Sequence, residues 1–293
     1  MRAIRALAAG GPEVLSLDEV PPTEPAAGQA VVDVAAAGVN FIDVYRRTGR
    51  YPMPFPHVVG AEGGGIVRAV GPGVDLSVGD RVAWADGSAG SYAERALVEA
   101  DRLVPVPAEV SLEVAAAVML QGLTAHYLSH STAPVLPGHD VLVHAGAGGV
   151  GLLLTQLAVA RGGRVLTTVS TAHKAELSRS AGAGAVLRYD ELDDLPTQLP
   201  AWVHEHTEGG VHSVFDGVGR TTFDASLASL RRRGTLALFG ASSGPVPPVD
   251  PMRLQDAGSV FLTRPTLGHH VAERAELLSR SDELFAALAA RRL

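Results

Sequence analysis

Apolar and polar positions follow different patterns in the two halves of the chain. In the first third, short apolar runs alternate with turns rich in Gly and Pro, and the candidate strands are 31–38, 60–70 and 81–84. Short strands broken by these two residues are typical of a compact β-rich domain. We therefore predict a β-rich, barrel-like domain over residues 1–122.

From about residue 123 the apolar runs become continuous and alternate with helical stretches. The predicted strands are 140–144, 164–169, 185–187, 211–216 and 234–239, and the predicted helices include 172–181 and 222–231. Strands this continuously apolar indicate a parallel sheet that helices cover on both faces. The sequence thus predicts a doubly wound α/β domain over residues 123–258.

The remaining residues, 259–293, form a predicted C-terminal return segment. It begins with an edge strand at 259–262 and ends with a helix at 271–292. We expect this segment to rejoin the β-rich domain.

Composition narrows the class of protein. Hydrophobic residues make up 46% of the chain and the net charge is −7, which favours a folded core and argues against an electrostatic nucleic-acid or membrane footprint. The N-terminus lacks the apolar stretch of a signal peptide, and no apolar run approaches the ~20 residues of a membrane span. We therefore expect a cytoplasmic protein. The chain has no cysteine, so it offers no thiolate to a zinc ion.

The sharpest motif is a glycine loop. The run Gly146-Ala147-Gly148-Gly149-Val150-Gly151 satisfies the G-x-G-x-x-G pattern, follows an apolar strand and opens an amphipathic helix. In this context the first glycine permits a tight turn, the second lets the backbone approach a pyrophosphate, and the third allows close helix–strand packing. The free N–H groups at the helix start face the phosphate charge. The alternative, an ordinary Gly-rich turn, is disfavoured by these flanking elements.

The end of the second strand of this domain distinguishes the two nicotinamide dinucleotides. NAD sites have an Asp or Glu there for the ribose 2′-hydroxyl, whereas this chain has Ser170-Thr171-Ala172-His173-Lys174 and no acid until Glu176. Hydroxyl donors followed by a cation match the 2′-phosphate of NADPH. Lys174 is the only lysine in the chain; the alternative for it is a solvated lysine at a helix start. Tyr189, just past the third strand, is a candidate stacking partner.

Motifs spread over nearly the whole chain point to one family. They are Gly10–Leu15, Gly38–Asp43, Gly60–Glu62, Gly122–Ala125, the glycine loop, Phe215–Gly219, Phe239–Gly244 and Thr263–Pro265. In these segments the chain resembles the zinc-independent quinone oxidoreductases of the medium-chain dehydrogenase/reductase superfamily, the group that includes zeta-crystallin. The resemblance implies a GroES-like catalytic domain, a Rossmann domain that binds NADPH, and a homodimer.

The same resemblance implies a set of site residues. Those implied for the substrate cleft and the nicotinamide are Asn40, Tyr45, Tyr51, Gln121 and Thr124. For Tyr45, a place in the packed core is an equal alternative, because aromatic side chains mostly serve packing. Asn40 and Tyr51 lie in stretches flanked by Gly or Pro, where loops often carry function.

The resemblance also implies cofactor contacts beyond the glycine loop and the Ser170–Lys174 segment. They follow the fourth and fifth strands of the α/β domain, at Val218, Phe239, Gly240 and Ser242. Open α/β sheets bind ligands beyond the carboxyl ends of their strands, which agrees with these positions. The family usually has a polar amide where this chain has Ala241, and it continues a few dozen residues past the last helix. We therefore expect this chain to be short relative to the family.

Zinc alcohol dehydrogenases of the same superfamily differ at two positions. They have G-H-E where this chain has Gly60-Ala61-Glu62, and a cysteine near the Asn40–Asp43 segment. With both ligands absent we predict no metal, so side-chain donors and the geometry of the cofactor polarise the carbonyl.

The predicted reaction is hydride transfer from NADPH to a quinone or a related α,β-unsaturated carbonyl, with this small molecule as the partner. Two alternatives remain open. One is a crystallin-like or regulatory protein that binds NADPH with little turnover, and the other is an enoyl-thioester reductase.

Overall fold

The chain is divided into two compact units. The computed structural model describes residues 1–85 and 90–293. The first unit comprises Met1–Leu123 and His270–Arg292, and the second comprises Thr124–His269 together with Leu293. The boundary between Leu123 and Thr124 falls within a helix.

The first unit is rich in β-strands, as its short apolar runs predict, and these strands pair antiparallel. Its strands are β1 (Arg2–Ala6), β2 (Leu15–Glu19), β3 (Gln29–Gly38), β4 (His57–Val58), β5 (Glu62–Val70), β6 (Arg81–Ala85), β7 (Arg95–Glu99) and β8 (Val104–Pro105). They form a sheet of order β2-β1-β4 and another of order β7-β3-β5-β6-β8. Val32, Val67 and Val82, from three neighbouring strands, enter a core around the fully buried Trp84. Burial alternates with period two along β7, as expected where one face of a sheet meets the core, whereas β3, β5 and β6 contain runs of three or four buried residues.

Two helices follow strands of the first unit. Helix α1 (Phe41–Arg47) begins directly after β3, and helix α2 (Leu112–Tyr127) follows β8 and runs past the unit boundary. Asn40 is the N-cap of α1, and its backbone N–H donates to the carboxylate of Asp43 at 3.1 Å. This contact satisfies a backbone donor at the helix start.

The second unit is a doubly wound α/β domain, which confirms the predicted fold class. Its strands are β9 (Asp140–Val143), β10 (Arg164–Val169), β11 (Ala185–Arg188), β12 (Val211–Asp216), β13 (Leu230–Leu238) and β14 (Phe261–Thr263). Its helices are α3 (Gly149–Ala160), α4 (Ala172–Ser180), α5 (Leu195–His206), α6 (Phe223–Ala228), α7 (Met252–Asp256) and α8 (Leu267–His270), the last of which ends at the boundary. The sheet is parallel, with order β11-β10-β9-β12-β13-β14.

This strand order has a functional consequence. It is the order of a dinucleotide-binding Rossmann sheet, in which the chain reverses direction across the sheet after the third strand. The central strand β9 is fully buried at Val141, Leu142 and Val143, which explains its continuously apolar sequence. The loops after β9 and β12 leave the same edge of the sheet on either side of the reversal.

The C-terminal helix α9 (Arg274–Ala289) belongs to the first unit. Arg102 donates to the carbonyl oxygen of Val271 at 2.7 Å, and Arg274 donates to the carbonyl oxygens of Asp101 at 2.7 Å and Leu103 at 2.6 Å. The helix is thus tied to the segment between β7 and β8. In the part of the chain with described coordinates, no helix combines the length and apolarity that a bilayer crossing requires.

The structure corrects the predicted helix at 222–231. Helix α6 ends at Ala228, and the three arginines 231–233 lie in β13. The pairing of β13 with β12 shifts register between Leu230 and Thr235, and the arginines lie in the resulting bulge, exposed to solvent. Leu230 before the bulge and Leu236 after it both stay paired with residues of β12. A bulge of this kind leaves no signature in the apolar pattern.

Candidate functional site

The glycine loop joins β9 to α3 at the carboxyl edge of the parallel sheet. The backbone N–H of Gly146 donates to the carbonyl oxygen of Thr168 at 3.0 Å, which fixes the loop to β10. Gly148 is the N-cap of α3, and it accepts from the N–H of Leu152 at 2.9 Å. The first N–H groups of α3 therefore emerge from the loop, where an anion would meet them.

The three glycines of the motif have different surroundings. A Cβ atom at Gly146 would lie 2.5 Å from Thr167 Cβ, and one at Gly151 would collide with the carbonyl oxygen of Ala145. At Gly148 the nearest atom, the same Ala145 oxygen, would be 3.2 Å away, and Gly148 is exposed. Gly146 and Gly151 are thus required by packing, whereas Gly148 leaves open space. A pyrophosphate fits this arrangement, since it needs close approach to the backbone at the second glycine.

The residues predicted to hold the adenosine phosphate come together after β10. Lys174 Nζ donates to Ser170 Oγ at 2.9 Å, and the Thr171 hydroxyl caps α4 by accepting from the N–H of Lys174 at 3.2 Å. Tyr189 directly follows the neighbouring strand β11 and is 42% exposed. These side chains share the carboxyl edge of the sheet with the glycine loop.

The loops after β12 and β13 are held together by Asp216. Its Oδ1 accepts from the N–H groups of Val218 at 2.8 Å and Gly219 at 2.9 Å, and its carbonyl oxygen accepts from the N–H of Phe239 at 2.9 Å. A Cβ at Gly240 would collide with the carbonyl group of Gly217. The N–H of the fourth predicted cofactor contact in these loops, Ser242, donates to that same carbonyl oxygen at 3.3 Å. The four predicted positions thus lie in two interlocked loops.

A buried polar network lies beneath these loops. The Asp216 carboxylate also accepts from the hydroxyls of Thr222 and Ser226, each at 2.8 Å to Oδ2. Because Ser226 donates to Asp216, it accepts from His144 Nε2 at 2.9 Å, and His144 Nδ1 then accepts from the Thr168 hydroxyl at 2.9 Å. Burial lowers the pKa of His144 despite the charge of Asp216, so the imidazole is neutral. The network connects the residue after β9 with β10, β12 and α6 through side chains that all have hydrogen-bond partners.

A second polar cluster occupies the first unit. The Nδ2 atom of Asn40 donates to Glu62 Oε1 at 2.6 Å, and Gln121 Nε2 donates to Asn40 Oδ1 at 3.1 Å. The backbone N–H of Leu120 donates to Glu62 Oε2 at 2.6 Å. Two of the predicted catalytic residues, Asn40 and Gln121, are thus brought into direct contact.

Burial dominates the electrostatics of this cluster. Burial raises the pKa of Glu62 to about 7, and the nearby Asp43 carboxylate adds to the rise. Burial also raises the pKa of Asp43, although Asn40 N–H and the Tyr92 hydroxyl donate to it. The pKa of the Tyr92 hydroxyl is raised by burial and by the charge of Asp43, so Tyr92 stays protonated as a donor.

The predicted aromatic residues form a separate group. Tyr45 lies on α1, is 8% exposed, and its ring centroid is 5.2 Å from those of both Phe41 and Tyr51. Tyr51 is 37% exposed. Tyr45 therefore packs as an aromatic core residue and also supports Tyr51. Thr124, the remaining predicted residue, is a buried residue of α2 that belongs to the second unit.

Sequence reasoning did not single out four residues that organise these sites. They are Asp43, Glu62, His144 and Asp216. For Asp43 a signal exists, since an Asn followed three positions later by an acid has the spacing of a helix N-terminus. Glu62 and His144 bond to partners distant in sequence, so their roles follow only from the fold. Asp216 bonds to groups two to ten positions further along the chain, in a turn and a helix that carry no motif for this contact.

Two family models match the chain. An alcohol dehydrogenase GroES-like domain matches residues 26–108, and a zinc-binding dehydrogenase domain matches residues 149–279. Quinone oxidoreductase 1 of Escherichia coli is 43% identical over 284 residues, which cover 96% of this chain and 85% of that protein. The chain belongs to the quinone oxidoreductase family. This membership confirms the resemblance that its motifs indicate, within the medium-chain dehydrogenase/reductase superfamily.

Further members of the quinone oxidoreductase family and its neighbours extend this result. A 2-haloacrylate reductase of Burkholderia is 40% identical, covering 96% of this chain and 86% of that protein. The solved structure of the Escherichia coli quinone oxidoreductase complexed with NADPH matches with a TM-score of 0.95 at 41% identity, over 100% of this chain and 89% of that one. A mycobacterial protein complexed with NADPH matches with a TM-score of 0.96 at 54% identity, over 100% of this chain and 90% of that one.

Proposed function

We propose that this chain reduces quinones or related α,β-unsaturated carbonyls with NADPH, without zinc. The observation that carries the proposal is the contact of Lys174 with Ser170 at the carboxyl edge of the parallel sheet, beside a glycine loop that is open at Gly148. The relatives that are quinone oxidoreductases, two solved structures complexed with NADPH, and the 2-haloacrylate reductase support the same cofactor and substrate class.

The second unit would bind NADPH through two kinds of group, one for the pyrophosphate that all nicotinamide dinucleotides share and one for the 2′-phosphate that distinguishes NADPH. The loop at 146–151 offers backbone N–H groups to the pyrophosphate, and Ser170 with Lys174 offers a hydroxyl and a positive charge to the 2′-phosphate. Tyr189 is exposed beside them and would stack on the adenine. When bound, NADPH supplies the hydride. A cytoplasmic location and a homodimeric state stay predictions of the sequence.

The first unit would be the catalytic domain. Ala61 replaces the histidine that zinc alcohol dehydrogenases have, and the chain has no cysteine, so the zinc ligands of those enzymes are missing. Hydrogen-bond donors would then polarise the carbonyl group of the substrate. Asn40 and Gln121 offer amide N–H groups for this role, and Tyr51 offers a hydroxyl. This division of labour assigns substrate binding to residues 1–122 and cofactor binding to residues 123–258.

The phosphate assignment is tested with Lys174→Ala. We expect the Kd for NADPH to rise about tenfold, because one exposed charge-assisted contact to the 2′-phosphate is lost. The Kd for NADH, which lacks that phosphate, should stay within about twofold. Both constants can be measured by fluorescence titration of the reduced cofactor.

The matched control is Arg179→Ala, which removes a positive charge from the last turn of the same helix. It should leave both constants unchanged. Equal losses of NADPH and NADH affinity in the Lys174 variant would contradict the assignment.

Turnover separates an enzyme from a binding protein. Steady-state oxidation of NADPH with simple quinones and with a 2-haloacrylate should be rapid and should stop when either reactant is omitted. Tight NADPH binding without oxidation under any of these conditions would instead support the crystallin-like alternative.

A further inference from the structure

Glu62 is a fully buried carboxyl group at the start of β5. It accepts one hydrogen bond from Asn40 and one from the backbone of Leu120, both at 2.6 Å. A Cβ atom at Gly38 would collide with the Glu62 carboxyl group, so a glycine at that position makes room for it. Within residues 1–85 and 90–293, no cationic side chain bonds to Glu62. Among the described residues, the Asn40 amide and the Leu120 N–H are the two hydrogen-bond donors to Glu62.

Backbone groups fix the direction of the hydrogen bonds at both ends of this cluster. At one end Gln121 Nε2 donates to the carbonyl oxygen of Val39 at 3.3 Å as well as to Asn40 Oδ1. At the other end the N–H of Leu120 can only donate. Between these ends, the Asn40 amide has one orientation that satisfies every partner, with Oδ1 towards Gln121 and Nδ2 towards Glu62.

Only the ionised form of Glu62 fits this arrangement. A carboxylate accepts at both oxygens, whereas a protonated carboxyl group carries an O–H that would face a donor N–H. Rotating the Asn40 amide by half a turn would give the O–H of protonated Glu62 an acceptor, namely Asn40 Oδ1. The rotation would also direct Asn40 Nδ2 at Gln121 Nε2, which the carbonyl oxygen of Val39 keeps in place. Two donor groups then face each other at Asn40 and Gln121, so the rotation only transfers the unfavourable contact from one pair of residues to the next.

We propose that ionised Glu62 is a positioning residue that holds the amides of Asn40 and Gln121 in the orientation in which they meet the substrate, and that protonation of Glu62 releases them. The proposal rests on the proposed function, which assigns Asn40 and Gln121 to the substrate cleft. Glu62 itself has no exposed surface and acts through Asn40.

The groups around Glu62 set the range in which the effect is visible. Burial raises its pKa to about 7, and Asp43 at the start of α1 adds to the rise. Among the residues that the structure describes, Tyr92 is the other titratable neighbour, and its raised pKa keeps it neutral. Arg46 acts on Asp43, while β3 and α2 contribute the uncharged Gly38, Leu120 and Gln121. Ionisation of Glu62 therefore changes within an ordinary assay range.

The test compares the pH profile of NADPH oxidation with a quinone in the wild type and in Glu62→Gln. In the wild type, kcat should fall about tenfold between about pH 8 and pH 6, following a single proton. Glutamine imposes the donor mismatch at every pH, so the variant should be flat over this range and about tenfold below the wild type at pH 8. The Kd for NADPH should be the same in both.

Two control variants isolate the role of Glu62. Asp43→Asn removes the neighbouring charge but keeps an acceptor for Asn40 N–H and Tyr92, so the fall in kcat should move to lower pH without disappearing. Glu94→Gln, on the surface of the same unit, should match the wild type. A Glu62→Gln variant that loses activity equally at all pH values and keeps the wild-type profile would overturn the proposal.

A measurement without turnover separates this proposal from the proposed function. In ¹⁵N-resolved NMR spectra of the wild-type protein, the side-chain N–H signals of Asn40 and Gln121 should shift with pH around a midpoint near 7. Asn40→Asp identifies the first of these signals. If quinones are not reduced but the signals shift, the proposed function fails and the positioning of the amides stands. Signals that do not move with pH overturn the positioning role, even should Glu62→Gln fail to fold.

Discussion

Each unit contains a fully buried carboxylate, and the two differ in how many donors surround them. Asp216 of the second unit accepts from four groups, namely the N–H groups of Val218 and Gly219 and the hydroxyls of Thr222 and Ser226. Glu62 of the first unit accepts from two groups in the described part of the chain, Asn40 and Leu120. A buried charge is tolerated in proportion to the hydrogen bonds that replace water.

The difference separates the roles of the two groups. Asp216 organises the two loops that would receive the cofactor, and its donors come from a backbone turn and a helix. Glu62 has fewer donors and a like charge nearby, and its pKa of about 7 follows from that environment. We therefore expect substitutions of Asp216 to damage the fold and substitutions of Glu62 to change pH dependence.

The largest effect is expected for Asp216→Asn. The amide keeps one acceptor oxygen for four donors, so several buried groups lose their partner, and we expect a loss of about 4 kcal/mol in the free energy of unfolding. Urea denaturation measures it, and NADPH binding should weaken in parallel because the loops lose their anchor.

The control for this variant is Asp224→Asn, which removes an exposed carboxylate that pairs with Arg253 at 2.5 Å. Surface pairs contribute about 0–1 kcal/mol, so this variant should be close to the wild type. A similar loss in both variants would contradict the anchor role of Asp216.

A smaller effect is expected in the pH dependence of stability for Glu62→Gln. The pKa of Glu62 rises from 4.5 to about 7 on folding, so the folded state binds the proton more tightly. Its contribution to stability is fully present below the unfolded value and is lost as the pH rises through the folded value. Between about pH 4.5 and pH 8 the wild type should lose about 3 kcal/mol more than the variant.

Thermal or urea unfolding across this pH range measures the difference. If the stability curves of the wild type and Glu62→Gln are parallel, Glu62 has no raised pKa and the contrast with Asp216 disappears.

The smallest effect in this series concerns the glycine loop of the second unit. Gly148→Ala meets its nearest atom at 3.2 Å, so unfolding should be nearly unchanged, while the added methyl group blocks the pyrophosphate and raises the Kd for NADPH about thirtyfold, or about 2 kcal/mol. Gly151→Ala is the matched variant, and its collision with Ala145 should destabilise the protein even without NADPH. Calorimetry and cofactor titration of both variants separate the two roles.

Local patterns predicted much of the second unit. The strands β10 and β12 have the bounds that their apolar runs indicate, and the glycine loop lies between a buried strand and a helix as its flanks require. These features depend on neighbours in sequence. The bulge at arginines 231–233 depends on the register of two strands, which no single segment encodes.

The cluster in the first unit was only partly accessible from the sequence. Asn40 and Gln121 follow from the family resemblance, but their partner Glu62 is 22 positions from Asn40 and 58 from Leu120. Helix α1 was not predicted either, because its seven residues are too few for a helical period to stand out. The fold had to bring β5, α1 and α2 together before the buried carboxyl group acquired a role.

Lys174 has one further consequence for handling this protein. Because it carries the only side-chain amine in the chain, reagents that acylate or cross-link amines have a single side-chain target, which lies beside Ser170 at the carboxyl edge of the parallel sheet. Under the proposed function, a fluorophore attached there would report on nucleotide occupancy from one defined position. Immobilisation through this amine would then obstruct the proposed cofactor site.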